Sequence, residues 1–382
     1  MTRLFSFERN MHNPRFTLTT LATLILLLAA CTRPGRGTAR AVRVDVSEDL
    51  PADSFFSDYS YIRLDSVTTP MLSGVRDMRF LDSLIFILDD AGRIFTFSSQ
   101  GHHLATLDSM GLGEGQYATA DAFDVTPTGI YVLCRPQKRI MHYSLGGQFV
   151  RVCPIHDYYL DFRVLSDSSV VLASGNCNER MANFITLDTR TQRFTHEAEP
   201  FERTESFISD TYHAFVGRRG DTLLVTNPFH TDIKMLVGGE TTPLCTYTFN
   251  TREQLPKKQA EYTFEELTQM TRHKSVVRGI ALCCATSEAR YMGYEMFGKC
   301  GLSYLLTRSK TDGTTQNMTI MNNPEASYPY LSAPLCAVDG QLASIMPAYV
   351  LLQVEKAYGI SRFTSAGLRQ TDNPVVFLHR LR

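Results

Sequence analysis

Two stretches decide the fold: "SLIFILDDAGRIFTFSSQGHHLATL" at residues 83–107 and "GIYVLCRPQKRIMHYSLGGQFVRVC" at residues 129–153. Both run through an apolar strand, a short polar turn, a strand opening Arg-Ile, a glycine-bearing hairpin turn and a further strand. With the strand before each, they become two matching sets of four. One is "GVRDMRF", "LIFIL", "RIFTF", "HHLATL" over 74–107; the other is "DAFDVT", "GIYVL", "RIMHY", "QFVRV" over 121–152. Short β-branched and aromatic runs bounded by turn residues read as strands.

The pattern continues. "YLDFRVL", "VVLAS", "NFITLD", "RFTHE" form a third set, and "TYHAFV", "DTLLVT", "DIKMLV", "PLCTYTF" a fourth. A looser fifth has "SVVRGIALCC", "ARYMGYEMF", "LSYLLTRS" and "NMTIMN". The last has "PLCAVDG", "QLASIMP", a helix through "AYVLLQVEKAYG", and "NPVVFLHRL". A period of about 45–50 residues is that of propeller blades. Residues 252–279 interrupt the series, and "QAEYTFEELTQMTRHK" (259–274) reads as an amphipathic helix inserted between blades. The strand "YSYIRLDS" (59–66) has no blade of its own. Completing the last blade would close the ring and hide its edges. The expectation is an all-β, six-bladed β-propeller with four-stranded blades, closed by N- and C-terminal strands, with one inserted helix.

The glycine-rich "GLGEGQY" (111–117) must be weighed against a phosphate loop. Such a loop needs Gly-Lys-Ser/Thr leading into a helix. Here Gln116 and Tyr117 follow Gly115, and "ATADAFDVT" reads as turn and strand. The stretch is a joint between blades, where glycine permits positive φ. Glu114 is the one residue in it that a joint does not require.

The amino terminus is an address. Arg3, Arg9 and Arg15 precede an uncharged run from Leu18 to Ala30, too short to cross a bilayer comfortably. "LLLAAC" (Leu26 to Cys31) resembles the bacterial lipoprotein signal. That resemblance implies cleavage before Cys31 and acylation there, including a palmitate-type chain on the new amine. Several acyl chains make a stable anchor. "TRPGRGTAR" (32–40) reads as a flexible tether. Thr32 is not the Asp of an inner-membrane retention signal, which favours the outer membrane, periplasmic side, with surface display left open. The organisation expected is signal peptide 1–30, lipidated tether 31–54, propeller 55–382.

The whole chain carries a formal charge of −1, and near −3 once the leader's three arginines and one glutamate are set aside. Nothing basic supports nucleic-acid binding. Eight of the nine cysteines lie beyond Cys31, without a C-x-x-C pair, and read as buried free thiols. The absence of Trp argues against several enzyme propellers and removes the best sugar-stacking residue, though 17 Tyr can substitute. His102–His103 reads as a hairpin edge and His142 as a packed strand residue.

The residues of the glycine joint carry a second resemblance. Gly111, Gly113, Gly115 and Tyr117 match a Gly-x-Gly-Pro-Gly-Glu-Tyr-like motif, with Glu114 where Pro is usual and Gln116 where Glu is usual. "DNPVVFLHRL" (372–381) is similar to an Asn-Pro-apolar closing strand. The chain thus resembles six-bladed β-propeller lipoproteins related to NHL-repeat propellers. The resemblance implies the fold; one fold hosts many functions.

In such a ring the fourth-to-first and second-to-third connections share one face. Glu114, Arg135, His156, Asn178, Arg180 and His230 all fall there and form the candidate ligand surface. Two readings follow. One is a non-catalytic binding or scaffold module for a glycan, peptide or envelope protein, needing no cofactor. The other is a metal-assisted lyase or hydrolase at the channel mouth, with His156, His213 and His230 as possible ligands.

Overall fold

The computed structural model describes residues 39–67, 70–203, 213–228, 230–250, 276–298, 301–320 and 328–382. The leader, Cys31, the start of the tether and the helix expected over 259–274 lie outside the described residues. Six sheets stand in a ring, a six-bladed propeller. Blades 1 to 5 span 77–107, 122–154, 161–200, 215–249 and 276–319; blade 6 spans 334–381 and borrows a strand from the N-terminal side. The first strands of successive blades touch in sequence, and that of blade 6 touches that of blade 1. Those six strands, from Asp77–Leu81 round to Pro334–Val338, surround the axis.

The second strands explain why their apolar runs are continuous rather than alternating. Leu84–Leu88 and Gly129–Cys134 are almost wholly buried because both faces of a blade meet neighbours. The core is therefore not inside any blade. Phe86, Phe123 and Val132 pack between blades 1 and 2; Leu133 and Phe162 between 2 and 3; Phe184 and Leu223 between 3 and 4. Ile233 and Met292 fill the 4–5 seam, Leu306 and Leu342 the 5–6 seam, and Ile87 and Val376 the 6–1 seam. The seven cysteines among the described residues are unbridged, four of them buried.

Strand β1 (Arg40–Val44) corrects the expected organisation. Residues 40–54 do not behave as a tether. β1 pairs in parallel with the outermost strand of blade 4, from Arg40 opposite Cys245 to Val44 opposite Phe249. "RAVRV" alternates, so Val42 and Val44 enter the 4–5 seam and Arg43 faces out, while Arg40, at the exposed end of the valine side, donates from Nη2 to Lys310 O at 2.9 Å. The chain then crosses the edge of blade 5. Glu48 and Asp49 carboxylates accept the Asn317 and Thr319 N–H groups at 3.0 and 2.8 Å.

Strand β2 (Phe56–Arg63) closes the ring, three residues earlier than expected. It lies antiparallel to Val375–Leu381, with Phe56 opposite Leu381 and Arg63 opposite Val375. Helix α1 (Ala348–Tyr358) forms where its apolar spacing places it and stops at Gly359, whose φ is 65°. Buried Glu355 on α1 accepts the Phe363 and Thr364 N–H groups of the short helix α2 (Arg362–Ser365), at 2.7 and 2.9 Å.

Candidate functional site

Connections sort by face. First-to-second turns are 82–83, 127–128, 167–168, 220–221, 286–288 and 339–340, all on one side. Among the described residues, the other side carries 70–76, 108–121, 174–181 and 347–374. Tight hairpins leave little backbone free, whereas long connections can be shaped.

The joint at 111–117 behaves as one. Gly111 N–H donates to Tyr117 O at 2.9 Å, and Tyr117 N–H to Ser109 O at 3.0 Å. The Tyr117 ring is buried, with its hydroxyl 2.9 Å from Gly92 O. Gly115 has φ 72°, and a Cβ there would stand 3.0 Å from Phe149. Glu114 is exposed on this joint.

Four of the six predicted residues come together around blades 2 and 3. Arg135 is partly buried, paired with Asp121 at 2.8 Å and donating to Tyr158 Oη at 3.0 Å. Burial works to depress its guanidinium, and the hydrogen bond and charge of Asp121 hold it above its ordinary value. Tyr158 follows Asp157, whose Oδ2 accepts the Glu179 N–H at 3.1 Å. That bond joins the 155–160 connection, carrying His156, to the 174–181 connection, carrying Asn178 and Arg180. His156 is exposed and sits at φ 59°; Asn176 and Met181 are also left-handed, at 63° and 58°. Non-glycine residues held there are strained, and strain accumulates at functional surfaces.

The same geometry separates the six by role. Asn178 is buried and spent on its own loop, with Nδ2 donating to Ala182 O at 2.9 Å. Arg180 leans outward, pairing with Glu197 at 2.5 Å and covering the Phe194 ring at 4.0 Å on the outermost strand. His230 lies on blade 4, with Nδ1 3.1 Å from Asp232 Oδ1. Burial raises the Asp232 carboxyl, but the His230 hydrogen bond and the Lys234 charge hold it down at about 2. Lys234 also bonds Glu199 at the end of blade 3, so this network fastens two blades. Among the described residues no three His, Cys, Asp or Glu side chains gather as a metal ion needs, and His156, His213 and His230 form no such set.

A second polar cluster lies on the inner strands. Asp77 Oδ1 accepts the Met78 N–H at 2.8 Å and pairs with Arg79, whose Nη1 also donates to Met78 O. Blade 3 repeats the motif: Asp161 accepts Phe162 N–H at 2.8 Å and pairs with Arg163 at 2.8 Å. Each guanidinium covers an aromatic ring of the next blade, Arg79 over Phe123 at 5.4 Å and Arg163 over Phe215 at 4.8 Å. Between them Asp124 is buried and accepts the Val164 N–H at 2.8 Å. Burial pushes its carboxyl up against the pull of Arg163 and Arg79. The cluster is mortar between blades 1 to 4.

A family profile described as a domain of unknown function, DUF4934, matches residues 40–380. The chain belongs to that family. This DUF4934 chain is similar in structure to a protein from Bacteroides fragilis NCTC 9343 described as exported. The TM-score is 0.72 at 17% identity, over 90% of this chain and 100% of that one. It is also similar to a DUF4221 member from Bacteroides vulgatus, with a TM-score of 0.53 at 10% identity, over 86% and 97% of the two chains. The curated proteins gave no match. At these identities the likeness is one of fold. The start of the DUF4934 match at residue 40 coincides with β1.

Sequence reasoning missed the inner-strand cluster. The signal was present: "RDMRF" and "DFRVL" both carry Asp-x-Arg at the head of a first strand. Charges inside a β-run of this architecture face the axis or a seam, where each needs a partner.

Proposed function

We propose that this chain is an exported, lipid-anchored envelope protein whose propeller is a non-catalytic binding module. Its long-connection face takes up a glycan, a peptide or another envelope protein. One observation carries this reading: the short turns lie on one face and the long connections on the other. The sector made by blades 2 and 3 is the favoured contact area, with exposed His156 and Glu179 at its centre and Glu114 at its margin. Arg135, Asn178 and Arg180 shape that sector, and His230 with its network braces the blade beside it. The "LLLAAC" signal supports anchoring through Cys31 at the outer membrane, and the likeness to a protein described as exported fits an envelope location.

Two experiments test the reading. Cys31→Ala should abolish fatty-acid labelling and release the protein from membranes; a variant that still labels overturns the anchor. A photo-crosslinking residue at position 156 should capture a partner in cells, and one at Asp339 on the opposite face should not. Capture from Asp339 alone overturns the choice of face.

A further inference from the structure

A cleft of about 390 Å³ opens at the rim where blades 6 and 1 meet. None of the six residues discussed above lines it. Three segments far apart in sequence build it: 63–67 after β2, the 100–102 turn of blade 1, and 367–372 before the closing strand. Its frame is fixed by buried Asn373, whose Nδ2 donates to Asp65 O at 2.7 Å and whose Oδ1 accepts the Leu72 N–H at 2.9 Å. Asp65 N–H also donates to Gly101 O at 2.9 Å. The walls are therefore held before any ligand arrives.

The lining is rich in unspent donors and poor in unspent acceptors. The Asp372 side chain is 8% exposed, and its oxygens are taken by the Arg369 N–H and Nε at 3.0 Å each and by Nη2 at 2.9 Å. Asp65 Oδ1 accepts the Val67 N–H at 2.8 Å. The cations are placed differently. Arg369 is 68% exposed. Arg63 gives one bond to Ala366 O at 2.8 Å and stands 3.8 Å from Asp372, beyond a normal hydrogen bond. A guanidinium offers five N–H donors, so both arginines retain several. Exposed Gln100 and His102 add an amide and an imidazole from the blade 1 side.

We propose that this cleft binds a small ligand through a carboxylate or phosphate group, held between Arg63 and Arg369 and flanked by Gln100 and His102. Planar oxyanions match the guanidinium fork in two parallel bonds. The volume lies within the range of small-molecule sites. Because the ligand would touch both sequence ends of the ring and blade 1, binding would also tighten the closing seam. This site goes beyond the face proposed above and does not depend on it.

The test is thermal denaturation and calorimetric titration of the purified full chain at constant ionic strength. The probes are acetate, D-glucuronate, inorganic phosphate and glucose 6-phosphate, with D-glucose as the neutral control. A ligand that binds only the folded state raises Tm with concentration. At least one anion should raise Tm by a few degrees where D-glucose does not. Preference for glucuronate assigns a carboxylate ligand; preference for the phosphates assigns a phosphate ligand. Arg369→Gln should weaken binding at least tenfold, read by calorimetry well below its unliganded Tm, which should itself fall because nearly buried Asp372 loses two bonds; His102→Ala should weaken binding less. Arg63→Gln should behave like Arg369→Gln; if it fails to fold, Arg369→Gln alone decides. No shift with any anion, the same shift with added NaCl, or undiminished binding by Arg369→Gln overturns the proposal.

Discussion

β1 and β2 are both short strands from the N-terminal side, and they do different work. β2 takes a vacant fourth position, so blade 6 is incomplete without it. Phe55 and Phe56 enter the 5–6 seam, and Ile62 and Leu64 the 6–1 seam. β1 joins a blade that already has four strands. It adds a fifth, in parallel, and brings Val42 and Val44 to one seam. A strand that supplies two seams is part of the ring's closure; a strand laid on an edge is a reinforcement. The comparison also separates pairing from packing, since both strands are fully paired and differ in how many neighbours depend on them.

The largest expected effect breaks β2. Deleting residues 55–63 should leave no cooperative thermal transition, because two seams lose aromatic and aliphatic side chains at once. A truncated protein that melts near the wild-type temperature would contradict closure by β2. Deleting residues 39–47 should cost less, roughly 3–5 kcal/mol from two buried valines and their ladder, with the propeller intact by circular dichroism. Loss of the fold on that deletion would make β1 as essential as β2.

A third measurement probes the same blade chemically. His379, opposite Tyr59 of β2, is buried between Ser344 Oγ at 2.9 Å and Tyr328 Oη at 3.1 Å. Burial lowers its pKa to about 3. A depressed folded-state value means the unfolded chain binds the proton first. Stability is then whole above about pH 6.5 and declines as pH falls from 6.5 towards 3, by several kcal/mol in total. His379→Gln should flatten that slope between pH 6.5 and 5, read as denaturation midpoints. An unchanged slope would mean the histidine is not the group responsible.

The smallest effects lie on the face. Arg180→Ala should cost within about 1 kcal/mol, since its pair with Glu197 is exposed on both sides. Arg135→Ala should cost more, because its partner Asp121 is 10% exposed and Tyr158 loses its donor. Equal costs in urea titrations would refute that ordering.

These contrasts mark what the sequence could tell. The blades were legible because a seam on each side demands runs such as "LIFIL", which no half-exposed sheet would carry. The closing strand was legible by elimination, to within three residues. β1 was not, because Pro34, Gly35 and Gly37 dominate the composition before it and mask the alternation of "RAVRV". On the face, topology predicted which residues share a side. It could not tell His156, which faces solvent, from Asn178, which turns inward to bond its own loop. That difference rests on the Asn178 bonds to Ala182 across its own loop, on which residue type alone is silent.

The placement of the core in the seams has a consequence for how the molecule comes apart. A linear stack of repeats frays from its ends, one contact surface at a time, each loss costing a single interface. A ring has no end repeat. Releasing any blade means parting the two seams that flank it, and blade 6 adds the β2 ladder to that toll. Amide exchange in this protein should therefore lack a gradient from one blade to the next, with the inner strands of all six opening together or not at all.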